Sequence, residues 1–324
     1  MRIQLGDREV GDGCPCYVVA EAGINANGDV PTAKRMIDAA ADAGADAVKF
    51  QMRDVELVYG RPPYPPGYLD MPRAHDFGGD QTQRGQKQAL EFAPHVHEHL
   101  RMYAIERGLA YTVSAWDEKS LAAAVALGVE WLKVASPCVT DGPLMRAHGA
   151  TGLPLVISTG GCNLAFSIEE TVLVGRWGPD WAEDDETMFP AMEWARANIA
   201  WLHCCSAYPS EDHDLNLRAI HTMRYGGEAA ELEDAPSALV GYSGHERGIA
   251  TTVAAVALGA CIVERHLTLD RTMPGSDQSA SLEPGAFARM VRDIRAVESA
   301  LGDGVKRAMP SEEAALKKLR RVVD

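Results

Sequence analysis

The sequence predicts an α/β fold, a (β/α)8 TIM barrel, on three observations. Short apolar runs alternate with helix-period segments along the chain. The runs are near-continuous rather than alternating, as parallel strands covered by helices must be. Eight such units fit in 324 residues, the length of one barrel. An open doubly wound sheet is the competitor. No GxGxxG follows the first run, which disfavours its dinucleotide-binding form.

The strand candidates, in order, are "CYVVAEAG" (16–23), "AVKFQM" (47–52), "AYTVSAW" (110–116), "WLKVAS" (131–136), "LVISTG" (155–160), "IAWLHCCSA" (199–207), "ALVGYSGH" (238–245) and "CIVERHL" (261–267). Between them, stretches such as "PTAKRMIDAAADAG" and "EKSLAAAVALG" carry apolar residues at i, i+3, i+4 spacing and end in Gly, as helix C-termini do. Residues 53–84 interrupt the rhythm with a run rich in Pro, Gly and Tyr. On a barrel this connection follows a strand, belongs to the catalytic face and reads as a lid. Residues 178–197 precede a strand, so they belong to the opposite face as surface or oligomer contact. "HVHEH" (95–99) lacks the HExxH order and reads as a solvated helix face. The tail "SEEAALKKLRRVVD" reads as a final helix with Ser311 as its N-cap.

Bulk composition excludes several classes. The formal net charge is −15 and the pI about 5.1, so neither nucleic acid nor an anionic membrane is an expected partner. No apolar run reaches 18 residues, and the N-terminus has no apolar signal core. Seven cysteines, without zinc-ribbon or CxxC spacing, suit free thiols in a reducing cytoplasm. The expectation is one barrel domain over residues 1–324 in a cytoplasmic protein.

Polar residues gather where the strands end: Glu21; Lys49 and Gln51; Ser114; Lys133 and Ser136; Ser158 and Thr159; Ser206 and Tyr208; Ser243 and His245; Glu264 and His266. A full ring of them is hard to explain by packing. Lys49 and Lys133 each interrupt an apolar strand, where an unpaired ammonium costs several kcal/mol. With the serines they would cradle a phosphate and a carboxylate; paired with glutamates, they would merely close the barrel interior. A Schiff-base lysine is the third reading. His245 and His266 end adjacent strands about 4.8 Å apart, so both imidazoles can reach one metal ion and leave positions open for substrate. Glu264 is then a residue to orient a metal-bound water. Arg265 points to the other side of its strand and reads as structural.

"VAEAGINANGD", "GADAVKFQ", "WLKVAS", "LVISTGG", "LHCCSAYP", "VGYSGHERG", "VERHLTLD" and "MPGSDQSASLEP" occur in this order, and together they resemble the sialic acid (N-acetylneuraminate) synthase family over residues 16–323. The resemblance implies a (β/α)8 barrel and a condensation of phosphoenolpyruvate (PEP) with a sugar aldehyde, giving a 2-keto-3-deoxy acid and phosphate. It implies a divalent metal, Mn2+ before Mg2+ or Co2+, on His245 and His266. PEP would be held by Lys49, Ser114, Lys133, Ser136, Ser158, Ser206 and Ser243. Glu21 would be the acid/base, and Gln51, Cys138, Tyr208 and Asp277 would line the acceptor site, with Asp277 also near the metal's water. A homodimer is implied too.

The chain departs from the family pattern on the acceptor side. Ala26 stands for a histidine, Cys138 for an acid, Ser206 for an asparagine and Gly244 for an aspartate. The antifreeze-like domain that follows most family barrels is not expected, because the sequence stops at Asp324. The losses predict that PEP and metal binding persist while the aldehyde differs from N-acetylmannosamine. Cys138 reads as a small neutral wall. A true nonulosonate synthase and a degenerate barrel are the alternatives.

Overall fold

The computed structural model describes residues 1–73, 80–162, 185–225 and 238–319, together with 173, 176, 178 and 321. Parts of the expected lid (74–79), of the 178–197 connection and of the tail fall outside these residues. A two-residue turn joins β1 (Arg2–Leu5) to β2 (Arg8–Gly11) in an antiparallel hairpin. Eight parallel strands follow: β3 (Tyr17–Gly23), β4 (Ala47–Met52), β5 (Ala110–Ala115), β6 (Leu132–Val134), β7 (Leu155–Ser158), β8 (Ile199–Cys204), β9 (Leu239–Gly244) and β10 (Ile262–His266). They close in chain order, with β10 pairing both β9 and β3. The expected barrel is therefore the fold, and each of the eight predicted runs contains one strand.

Alternation along the strands sorts their side chains into layers. Val18, Ala20, Val48, Phe50, Val113 and Val134 point outward into the main core under the helices. Tyr17, Val19, Ala47, Val156, Ala200, Leu202 and Ile262 point inward and fill the lower half of the barrel. Trp131 joins them, fully buried. The hairpin plugs this end with Ile3, Leu5 and Val10. It went unread in the sequence because two four-residue strands carry too few apolar positions to show a period.

Further along the same inward faces the residues turn polar, and this change positions the site at the strands' C-terminal ends. β6 is shorter than its apolar run suggests, so Ser136 falls in a 3-10 turn, Ser136–Cys138. The segment after β4 does cover this end. Its helix Val55–Tyr59 is capped by Asp54, and Val55, Val58, Tyr59 and Leu69 form a small core of their own. The helix Asp185–Asn198 lies near β1, on the opposite end as expected, but Ala191 and Ala195 pack into the main core, so it is not the surface segment expected.

Two surface readings are corrected. His97 is fully buried and hydrogen-bonds the Tyr111 hydroxyl at 2.7 Å through Nδ1. It shares the buried face of the helix Pro94–Glu106 with Leu100 and Ala104. Ser311 lies inside a 3-10 turn, Pro310–Glu312, whose N-terminal backbone is capped by the Glu312 carboxylate, so it is not an N-cap. No helix among the described residues is long and apolar enough to cross a membrane.

Candidate active site

A cavity of ≈ 250 Å³ opens at the C-terminal ends of the strands. Glu21, Lys49, Gln51, Ser114, Lys133, Ser136, Ser158, Tyr208, Ser243, His245, His266 and Asp277 all line it. All but Asp277, which only the family resemblance implied, belong to the ring that the strand ends predicted; Thr159 and Ser206 of that ring do not line the cavity.

Its floor is a buried four-charge cluster. Lys49 Nζ lies 2.8 Å from Glu21 Oε2 and 3.6 Å from Glu264 Oε1. Lys133 Nζ lies 3.7 Å from the same Glu264 oxygen. It also donates to Ser158 Oγ at 2.7 Å and to the Val134 carbonyl at 2.8 Å. Strand register explains the arrangement: Glu21 is level with Lys49 on β4 and with His266 on β10, and Ser114 with Lys133 on β6. Burial alone would lower the Lys49 pKa, but Glu21 and Glu264 outweigh it and hold it raised. Burial dominates at Lys133, whose pKa is lowered, with the Lys49 charge adding to the fall. Glu264 is held below the usual range because both lysines outweigh its burial. It therefore bridges the lysines, beside the two histidines.

Glu21 is fixed from both sides. Gln51 Nε2 donates to Oε1 at 2.9 Å while Lys49 holds Oε2. Gly23, at φ +50°, permits this: a Cβ there would sit 2.8 Å from Glu21 Oε1 and 3.2 Å from Gln51 Nε2. The Gln51 amide is thus turned to Glu21.

The two histidines adjoin this floor, with ring centroids 5.2 Å apart. Burial, then the neighbouring His266, lowers the His245 pKa to about 4, so its ring is neutral at pH 7. His245 Nδ1 donates to the Cys205 carbonyl at 2.8 Å. That bond fixes the tautomer and leaves Nε2 as a lone-pair donor, the arrangement a metal ligand needs. His266 Nδ1 is buried with no hydrogen-bond partner, 3.7 Å from Asp277 Oδ2. The Tyr208 ring lies tilted by 38° against His245 at 4.1 Å and meets His266 edge-on at 5.7 Å. An orphaned imidazole nitrogen beside a fixed one suits a divalent cation. Among the described residues there is no cluster of three or more His, Cys, Asp or Glu that could hold a metal, so further ligands would come from water or substrate.

Two expected site residues lie outside the cavity lining. Ser206, two residues past the end of β8, packs against Gly160: a Cβ on Gly160 would lie 2.0 Å from Ser206 Oγ. Cys138 sits behind Pro137 in an adjoining chamber of ≈ 450 Å³ that shares Tyr64, Trp116 and Pro137 with the first. Burial pushes its thiol up to about 12, which makes it a neutral wall rather than a nucleophile. The lining residues that were missed include Arg53, Tyr59, Tyr64, Tyr68 and Lys87. Arg53 directly follows β4, so the strand-end rule could have found it. The others arrive from the covering segment, and only the fold brings them in.

With this geometry established, the comparisons are specific. The NeuB family model matches residues 36–306, and the chain belongs to the NeuB family. N-acetylneuraminate-9-phosphate synthase of Mus musculus is 38% identical over 98% of this chain and 79% of its own length. N,N'-diacetyllegionaminic acid synthase of Campylobacter jejuni is 33% identical over 94% of this chain and 83% of its own. Among solved structures, N-acetylneuraminic acid synthetase of Leptospira borgpetersenii, in complex with citrate, superposes with a TM-score of 0.75 at 29% identity. That match covers 99% of this chain and 98% of that one. The chain is an enzyme of the sialic acid synthase-like class, a transferase of carbohydrate biosynthesis.

Proposed function

We propose that the protein condenses PEP with a sugar aldehyde. C3 of PEP attacks the aldehyde carbon, water adds to C2, phosphate leaves, and a 2-keto-3-deoxy acid remains. The observation that carries this reading is the buried Lys49–Glu21–Glu264–Lys133 cluster opening onto a cavity lined by Ser114, Ser136, Ser158 and Ser243. A purely structural cluster would be closed over, because buried charge is stable only when fully paired.

Lys49 and Lys133 would bind the PEP anion, with the serine hydroxyls orienting its oxygens. Ser206 acts at one remove, through Gly160 and Ser136. Glu21 would move a proton at its Oε1–Oε2 carboxylate as water adds to C2. Gln51 and Tyr208 would meet the acceptor, and Asp277 would serve both the acceptor and the metal side of the cavity. His245 and His266 would hold the divalent metal. By family resemblance it is Mn2+, with Mg2+ or Co2+ as substitutes; when bound, it supplies Lewis-acid polarisation of the aldehyde oxygen. Cys138, in the adjoining chamber, is neutral where the family pattern has an acid, which favours an acceptor other than N-acetylmannosamine. The names of the relatives favour the nonulosonate alternative. Seven free thiols suit the cytoplasm, and a homodimer is the expected assembly.

The test is to incubate the protein with PEP, Mn2+ and a panel of aldoses that includes N-acetylmannosamine. Phosphate release should require all three components, and the product mass should equal PEP plus aldehyde plus water minus phosphate. Failure of the metal-loaded protein to bind PEP overturns the reading. Borohydride trapping of a keto acid without metal would replace it with a Schiff-base lysine.

A further inference from the structure

This inference rests on the reading of Asp277 as a residue of the metal side of the cavity. The loop between β10 and the helix Pro284–Leu301 carries it. The loop is closed at its base: Leu282 N donates to the His266 carbonyl at 2.8 Å and Thr268 N to the Leu282 carbonyl at 3.0 Å. Asp277, far along the loop, returns to the strand end, with Oδ2 3.7 Å from His266 Nδ1. Ser276 Oγ holds the other oxygen, donating to Oδ1 at 2.6 Å. A loop without regular structure keeps one such placement only if other groups hold it against its conformational entropy.

The hold comes from the turn after β3, a stretch that the chemistry above leaves unused. Asn25 is buried there, and its Nδ2 donates to the Leu267 carbonyl and to Ser281 Oγ, each at 2.8 Å. Ser281 Oγ in turn donates to the Asp277 carbonyl at 2.7 Å. Gln278, also buried, donates from Nε2 to the Asn25 carbonyl at 3.2 Å, and its Oε1 accepts from Thr268 Oγ1. Before Asp277, Asn27 Nδ2 donates to the Pro274 carbonyl at 3.1 Å. The loop is thus gripped on both sides of Asp277. Leu267 N also donates to the Glu21 carbonyl at 2.8 Å, so the strand ends carrying Glu21 and His266 are already joined. Asn25 adds the Asp277 loop to that pair. An apolar side chain could fill its volume, but only hydrogen bonds fix a direction.

We propose that Asn25 is a positioning residue: through Ser281 it holds the Asp277 carboxylate beside His266.

Crystal structures and Mn2+ titrations test this without turnover. Ser281→Ala removes the relay and leaves Asn25 in place; Asn25→Ala removes both donations. In each structure Asp277 Oδ2 should leave its place beside His266 Nδ1 while Lys49 and Glu21 stay paired. Mn2+ alone, followed by paramagnetic resonance of the free ion, should bind about ten-fold more weakly than to the wild type, as the loss of an outer-shell partner costs. Asp277→Asn should show the same loss. Adding Ser281→Ala to it should weaken Mn2+ no further, because both changes act through one carboxylate. Calorimetric binding of PEP should be unchanged throughout.

An unmoved Asp277 in the Ser281→Ala structure overturns the proposal. So does a double variant whose losses add, the mark of a merely structural serine. If Asn25→Ala does not fold, Ser281→Ala and its cycle with Asp277→Asn still decide. If the wild type binds no Mn2+, or Asp277→Asn binds it as well as the wild type, the metal-side reading fails; the place of Asp277 in the variant structures then decides the inference alone.

Discussion

Glu264 and Arg265 are adjacent on β10, and both are buried charges, yet they face different worlds. Arg265 points outward under the helices. Its guanidinium donates to Glu246 Oε1 at 2.8 Å, the Glu246 carbonyl at 2.6 Å, the Gly248 carbonyl at 3.0 Å and Thr252 Oγ1 at 2.5 Å. Tyr242 and Thr252 complete the shell of Glu246. Glu264 points inward, and its nearest cations stand 3.6 and 3.7 Å away. Around it, Glu264 Oε2, Ser114 Oγ and His266 Nδ1 are buried without a hydrogen-bond partner, whereas in the Arg265–Glu246 network Arg265 Nε alone is so placed. Buried polar groups are normally satisfied, so the outer network reads as scaffold and the inner one as a binding site. Saturation, rather than charge or burial, separates the two.

The largest effect that sharpens this contrast is on the inner side. Glu21→Gln should cut kcat about 10²- to 10⁴-fold, the range of a lost general acid/base, and should also lower the unfolding midpoint, because Lys49 then shares Glu264 alone with Lys133. Full activity in this variant would remove Glu21 from the chemistry. On the outer side, Arg265→Met should cost about 3–5 kcal/mol of stability, because Glu246 is left as an uncompensated buried charge. Urea titration measures this, and kcat of the folded fraction should stay near wild type. If Arg265→Met instead abolished turnover without loss of stability, the two networks would not be separate.

A pH effect of middling size comes from His97. Burial lowers its pKa from 6.5 to about 4, so the fold keeps it neutral where the unfolded chain takes up a proton. Its contribution is complete above pH 6.5 and falls away as the pH drops toward 4, by roughly 3 kcal/mol. His97→Gln should flatten that part of the stability–pH curve; an unchanged slope would assign it to other groups. The smallest effect is at Ser158. Ser158→Ala removes one acceptor from Lys133 and should raise KM for PEP about tenfold, with kcat less affected. An unaltered KM would make Ser158 a packing residue.

The contrast also explains what the sequence could disclose. Each strand was legible because it is buried on both faces, and a ring of polar residues interrupting such strands is visible without a structure. Arg265 was legible as a bystander from alternation alone. The partners of the lysines were not: Glu21 and Glu264 reach Lys49 only through the register of three strands. Ser206 falls outside the cavity lining because β8 ends at Cys204, three residues before its predicted run does. His97 misled because three alternating histidines look solvated, although His97, Leu100 and Ala104 already mark a buried helical face. Lys87 had no sequence signal, since a helix in the covering segment carries it to the cavity.

The central claim is that the unsaturated inner cluster is a PEP cradle. A crystal structure of the protein soaked with PEP tests it most directly. The account predicts PEP oxygens within hydrogen-bond distance of Lys49 and Lys133 Nζ, with Ser114 Oγ now engaged and the Arg265–Glu246 network unmoved. PEP bound elsewhere, or a cavity that stays empty at saturating PEP while the cluster remains as it is, would contradict it.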